Sequence, residues 1–265
     1  MQVSVVGDDP VFEGVVTALD DIDVGVREAS PGDLAAARFA VVSDVAGSPT
    51  FDRANEAALE GDTPWIAVEI GGVGNHPLPD VDAAISGFAP ATACFDCLRA
   101  RVASNVEDRA ASPQADRAAA RLAGAIAGRE CVRVLSGDEG SIIGQVRELP
   151  HARRQVLPVP GCTCAADERE RTLECDAETL ALEAAVEHAE GAIDDRVGPI
   201  SSIAEVESFP APYYLSTVAD TTAYSDASAP RQAAGVADDW NSALMKAVGE
   251  GLERYCAGVY LEADF

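Results

Sequence analysis

Short apolar runs rich in β-branched residues alternate with stretches of helical periodicity along residues 1–90. Residues 3–6, 24–27, 39–43, 65–70 and 83–87 read as strands. Residues 11–19, 33–37 and 52–59 read as helices, the first entered through Asp9 and Pro10 as cap and first-turn residue. This order predicts an α/β layer of Rossmann-like type. The first strand, however, ends in Gly7-Asp8-Asp9-Pro10. The glycine-rich turn that lets backbone amides approach a pyrophosphate is missing, and two carboxylates stand where phosphates would lie. The pattern therefore argues against a working nucleotide site in this layer.

Further along, residues 114–127 read as a helix, and 131–135 and 141–146 as strand-like pieces. Prolines on both sides of Val159 fix an extended approach to Cys162. A helix is expected over 176–192, then an extended stretch through 214–218, a turn-rich segment to Gly235, and a strong helix from Asp239. Helix residues 178–190 carry Leu180, Leu182, Ala185, Val186 and Ala189 among acids, a pattern that serves internal packing or a homodimer equally. Three regions follow: a Rossmann-like domain at 1–90, a cysteine-bearing region at 91–176, and a third domain at 177–265. The last helix runs toward Phe265 with no capping glycine evident, which reads as an interrupted domain.

Charge narrows the choice of partners. Asp and Glu number 45 against 19 Lys and Arg, a formal net charge of -26. Such a chain repels a phosphate backbone, so no nucleic acid is expected as partner. Lys246 is the single lysine. Together with the acidic excess and the abundance of Ala, Gly and Val, this resembles the composition of proteins from salt-loving organisms, whose surface carboxylates hold water when salt screens charge. No basic leader precedes a long apolar run, and no stretch nears the roughly 18 apolar residues of a membrane span. A soluble cytoplasmic protein with no membrane partner is expected.

Two of the chemistry-bearing patterns involve thiols and carboxylates. Cys94-Phe-Asp-Cys97 and Cys162-Thr-Cys164 form two tight pairs among seven cysteines. Four thiolates suit tetrahedral Zn²⁺, and a site closed by four protein ligands stabilises the fold rather than catalysing. The competing reading is four ordinary buried thiols. Cys131, Cys175 and Cys256 read as packing residues. On the last helix, Leu244, Ala247, Val248, Gly251, Leu252 and Tyr255 recur at helical spacing and predict a buried stripe. Lys246, Glu250, Glu253 and Arg254 share the opposite face. Carboxylates three residues apart can reach one Mg²⁺, and the adjacent cations can neutralise phosphates that the metal bridges. The plainer alternative is a solvated face with an ordinary ion pair.

The run Ala-Leu-Met-Lys246-Ala-Val-Gly-Glu250-Gly-Leu-Glu253-Arg254-Tyr-Cys-Ala-Gly resembles the signature helix of the YcaO superfamily. The Gly198-Pro-Ile-Ser-Ser and Pro212-Tyr-Tyr stretches are similar to the opening of that domain, and Ala234-Gly235-Val-Ala-Asp-Asp to the turn before its helix. The strand order of residues 1–90 and the two cysteine pairs resemble the peptide-cyclodehydratase branch used in bacteriocin biosynthesis. There a ThiF-like scaffold with zinc-holding cysteines and a peptide-binding region, which the resemblance places at 91–176 here, precedes the YcaO domain. The resemblance implies an α/β fold with the beginning of an α+β YcaO domain. It also implies ATP, Mg²⁺ and structural Zn²⁺ as cofactors, and a peptide substrate with its leader as partner. Glu250 and Glu253 would hold Mg²⁺, Arg254 would orient helix or phosphates, and Cys94, Cys97, Cys162 and Cys164 would hold zinc. Lys246 departs from a serine common in the family. The implied chemistry converts Cys, Ser or Thr residues to azolines, and a thioamide is the other product the superfamily forms. The rest of a YcaO domain would lie beyond Phe265. The chain then reads either as part of a longer enzyme or as a non-catalytic peptide-binding scaffold that partners a separate one.

Overall fold

The computed structural model describes residues 2–106, 112–113, 116–150, 152–165, 179–206 and 209–261. Two compact units result, Met1–Arg99 with Asp108–Pro158 and Ala100–Glu107 with Val159–Phe265. His151 and Cys175, and the expected helix starts at Gln114 and Asp176, lie outside the described residues.

In the first unit the elements run β1 (Gln2–Val6), α1 (Val11–Asp20), β2 (Gly25–Glu28), β3 (Ala40–Val45), α2 (Pro49–Glu60) and β4 (Trp65–Ile70). A small hairpin, β5 (Gly72–Val73) and β6 (His76–Pro77), precedes β7 (Ala83–Phe88) and the start of α3 (Phe95–Asn105). Then come α4 (Arg117–Leu135), β8 (Gln145–Leu149) and β9 (Ala152–Gln155). The sheet order is β2-β1-β3-β4-β7-β8-β9, parallel through β4 and antiparallel beyond. The α/β expectation therefore holds, as a seven-stranded mixed sheet.

Every residue of β4 and β7 is buried, the pattern of strands covered on both faces. One face carries Val3, Val5, Val41, Ile66, Val68 and Ile85, packed against Val11, Val15 and Leu19 of α1 and Ala120, Ala123 and Ala127 of α4. On the other, Phe51 of α2 stacks on Phe95 at 5.3 Å between centroids, and Trp65 and Phe88 complete the cluster. Helix α2 starts where Ser48 accepts a hydrogen bond from Thr50 N–H, with Pro49 in its first turn. The 33–37 stretch forms only a 3₁₀ turn, Pro31–Ala36, entered through a capping box of Ser30 and Asp33.

Residues 131–135, expected as a strand, are the last turns of α4. Buried Ala120, Ala123, Ala127 and Cys131 keep a three-to-four residue spacing through this end, so packing overrides the β-branched composition. Helices α1 and α4 meet backbone to backbone. A Cβ on Gly14 would stand 2.7 Å from the Gly124 carbonyl carbon, and one on Gly128 would stand 2.6 Å from Ala18 Cβ. The 141–146 stretch turns first, and its strand begins only at Gln145.

Glu69 on β4 is fully buried, and its carboxylate accepts hydrogen bonds from Gly74 N–H at 2.8 Å and Asn75 N–H at 2.6 Å. Desolvation raises its pKa to about 7, against the lowering effect of those two amides and with a smaller upward push from Glu148.

The second unit holds α5 (Leu182–Glu190) and an antiparallel sheet of β10 (Ile200–Glu205), β11 (Tyr213–Val218) and β12 (Gln232–Val236). Against the sheet packs α6 (Trp240–Ala257). Strand β12 lies in the segment expected to be turn-rich. Its Ala-Ala-Gly core carries no strand signal, and Gly235 is required because a Cβ there would stand 2.2 Å from Ala243 O. The buried face of α6 is Ala243, Ala247, Val248, Gly251 and Tyr255, while Leu244 and Leu252, expected in the stripe, are only half-buried. Small residues win because the helix lies so close that buried Ser216 donates to Ala247 O at 2.8 Å. Helix α6 ends at Ala257 with Gly258 at its C-cap, so the expectation of an uncapped helix is corrected. Helix α5 has no buried residue. No helix among the described residues is long and apolar enough to cross a membrane.

Two outcomes follow from this packing. Gly128→Leu is expected to lower unfolding free energy by about 1–3 kcal/mol in chemical denaturation, while Leu122→Ala, at 53% exposure, should stay within roughly 0.5 kcal/mol of wild type. Because the folded-state pKa of Glu69 lies above its unfolded value of about 4.5, its contribution to stability is full below that pH and is lost as pH rises through about 7. Glu69→Gln should remove this decline, measured as the pH dependence of the denaturation midpoint between those values.

Candidate functional site

Cys94 and Cys97 flank Phe95 at the opening of α3, both buried, with their sulfurs 3.8 Å apart. Thiolates about 2.3 Å from a tetrahedral zinc ion stand roughly 3.8 Å from each other, so this pair already spans one edge of the polyhedron. Asn55 of α2 fixes the turn. At 2% exposure, it accepts from Phe95 N–H at 3.0 Å and donates to Asp96 Oδ2 at 2.8 Å. Arg99 bridges Asp96 and Asp52 at 2.6 and 2.5 Å. None of these supporting residues was singled out in the sequence. Their one signal is a polar side chain, Asn55, on the apolar stripe of Phe51, Ala54 and Ala58.

Cys162 and Cys164 are half-buried. Cys162 closes a turn through its N–H to Val159 O, with Gly161 at φ +78°, and Cys164 lies in the 3₁₀ turn Thr163–Ala165. Of the four expected cysteines, Cys94 and Cys97 belong to the first unit and Cys162 and Cys164 to the second. Each pair offers soft sulfur donors, which suit Zn²⁺ rather than Mg²⁺ or Ca²⁺. Cys131 is elsewhere, in the core, where desolvation pushes its thiol up to about 12 and keeps it inert. Cys256 is exposed on α6.

Helix α6 opens at Asp239, whose side chain accepts from Ser242 N–H at 2.9 Å. Hydrogen bonds from Ser242 hold that carboxyl below the usual range. Along the solvent face Arg254 binds Glu250 through Nε at 2.9 Å and Nη2 at 2.8 Å, the i,i+4 spacing. Arg254 Nη1 also donates to Gln232 O, and Lys246 Nζ donates to Val236 O at 3.0 Å. Glu253 is exposed and makes no hydrogen bond or ion pair among the described residues. The four expected residues thus share a face, and the two cations are bonded to β12 while Glu250 keeps one carboxylate oxygen outside its ion pair.

At the carboxyl ends of β1 and β3, where the strand order reverses, lies a crevice of about 870 Å³. Asp8, Asp9, Glu28, Asp44 and Asp116 line it against Arg53 and Arg117. Gly7, at φ +123°, admits no side chain because a Cβ would meet Ser43 Oγ at 2.1 Å. This negative lining opposes phosphate groups.

No protein-family model matches the chain, and no curated protein does. Solved structures do. A heterocyclase in complex with substrate and cofactor superposes on 96% of this chain and 39% of its own, with a TM-score of 0.63 at 17% identity. The heterocyclase TruD covers 74% of this chain and 32% of its own, with a TM-score of 0.50 at 16% identity. E. coli MccB is also similar, over 67% of both chains, with a TM-score of 0.46 at 13% identity. The chain therefore has the fold found in heterocyclases and spans 39% of the length of the first of them.

Asn55→Ala removes both hydrogen bonds that hold the Cys94–Cys97 turn. It is expected to weaken metal retention at the four thiols by about tenfold or more in competition with a chromophoric chelator. The metal-free protein should lose about 1–3 kcal/mol of stability. Unchanged metal affinity would reduce Asn55 to a packing role.

Proposed function

We propose that this chain is the scaffold and opening portion of an ATP-dependent YcaO-type heterocyclase, which converts Cys, Ser or Thr residues of a peptide to azolines. The observation that carries this reading is the superposition of 96% of the chain on a heterocyclase bound to substrate and cofactor. The helix resemblance at Glu250, Glu253 and Arg254 and the Cys94–Cys97 pair, whose sulfurs stand 3.8 Å apart, support it. Fold alone is shared by many activities, so the site residues must bear the claim.

In the proposed reaction the peptide side chain attacks the preceding amide carbonyl carbon, and the former amide oxygen must leave. ATP, when bound, supplies the phosphoryl group that makes that oxygen a good leaving group. Glu253 and the free oxygen of Glu250 would hold Mg²⁺, hard ligands for a hard cation. Arg254 balances the charge of Glu250 and ties the helix to Gln232 O, which fixes where the carboxylates stand. Cys94, Cys97, Cys162 and Cys164 would hold zinc as a closed structural site. A second reading, a non-catalytic zinc scaffold that binds peptide for a partner enzyme, is favoured by the Glu250–Arg254 ion pair, which needs no metal.

The test uses the product of the whole gene with a Cys-rich peptide, ATP and Mg²⁺. Loss of one water per ring by mass spectrometry, with peptide-stimulated phosphate release and about one zinc per chain, is expected. Glu253→Gln should lower turnover by about 10²-fold or more while zinc content stays unchanged. Zinc without turnover would leave the scaffold.

A further inference from the structure

The seven-stranded sheet ends at β9, and no strand lies on its outer edge among the described residues. The register fixes which backbone groups face outward. Val156 N–H donates to Gly144 O at 3.0 Å, so residues 152, 154 and 156 turn toward β8, and Arg153 and Gln155 direct N–H and C=O away from it. That alternation makes Arg147 of β8 and Arg153 of β9 a directly opposed, non-hydrogen-bonded pair, the arrangement in which side chains stand closest. Like charges so placed work against the strand pairing.

Acids outnumber basic residues 45 to 19 in this chain, yet Arg147 makes no ion pair or hydrogen bond among the described residues. Arg153 is held in place by neutral acceptors instead. Its Nη2 donates to Gly140 O at 3.1 Å and its Nε to Gln145 Oε1. Arg133 reaches the same turn, where a Cβ on Gly140 would stand 2.7 Å from its Nη2. An oriented guanidinium, a second one without a partner, and an unpaired strand edge therefore coincide.

We propose that the β9 edge is a docking strand for an extended peptide segment with carboxylates at alternate positions. The segment would add as the next strand through the outward groups of Arg153 and Gln155, with its acids on the face of Arg153 and Arg147. Charge complementarity selects an acidic occupant, and the proposal stands apart from the chemistry proposed above.

The probe is a fluorescein-labelled eight-residue peptide with Glu at alternate positions and Val or Thr between, read by fluorescence anisotropy on the full chain. It is expected to bind, a version with Lys for Glu is not, and backbone N-methylation of its four central residues should abolish binding by removing N–H donors while keeping every side chain. Arg153→Ala and Arg147→Gln should each weaken binding by about fivefold. Because Arg147 has no hydrogen bond or ion pair to lose among the described residues, and Gln keeps most of its stem, its substitution keeps the test apart from misfolding. Affinity should fall with added salt over the range where circular dichroism is unchanged. Equal binding of the N-methylated peptide, or variants that bind like wild type, would overturn the proposal. So would absence of binding together with self-association of Arg153→Ala in sedimentation, which would make the arginines mere guards of the edge.

Discussion

A strand whose six side chains are all buried must be covered on both faces, and β4 imposes that condition on the first unit. Helices α1 and α4 supply one cover through glycines and alanines that let backbones touch. The second cover is aromatic, with Phe51, Trp65, Phe88 and Phe95 wedged together. Since Phe95 lies between Cys94 and Cys97, the same ring that completes this layer sets where two of the four thiols stand. The geometry of the candidate metal centre is thus inherited from the hydrophobic layer beneath it.

Arginines are outnumbered by acids here, and several serve buried acids rather than the surface. Glu130, 1% exposed, is bound by Arg133 and Arg129, and Glu148 by Arg154. Removing a cation from such a pair would leave an uncompensated buried charge. Glu69 is treated differently. Two backbone amides of the β5–β6 hairpin region face its carboxylate and favour its ionised form, yet burial outweighs them and keeps the proton up to near-neutral pH.

Much of the first unit was legible because β-branched runs and amphipathic helices agree with their tertiary roles. Strands β1, β3, β4 and β7 and helices α1 and α2 fall near their expected places. The failures share a cause. Cys131-Val-Arg-Val-Leu135 looks like a strand but continues the stripe of α4, and β12 looks like a turn because Ala and Gly are demanded by the close approach of α6. In both cases the partner surface decides, and one segment cannot report its partner. The four cysteines were legible because their spacing is the signal. The roles of Asn55, Asp52 and Arg99 were not, because each depends on a contact distant in sequence.

The bonds from α6 to β12 have a consequence for how far the second sheet can extend. Val218 N–H donates to Arg231 O and Ala237 N–H to Pro212 O, so the odd-numbered residues of β12 face β11 and Gln232 and Val236 face outward. Those outward carbonyls are the ones that receive Arg254 and Lys246. A newcomer strand would have to displace two cations to reach its acceptors. The only lysine in the chain is thus a stopper at a sheet margin, and the two larger sheets differ in character: one terminates behind bonded cations, and the other ends in a strand that no neighbour covers among the described residues.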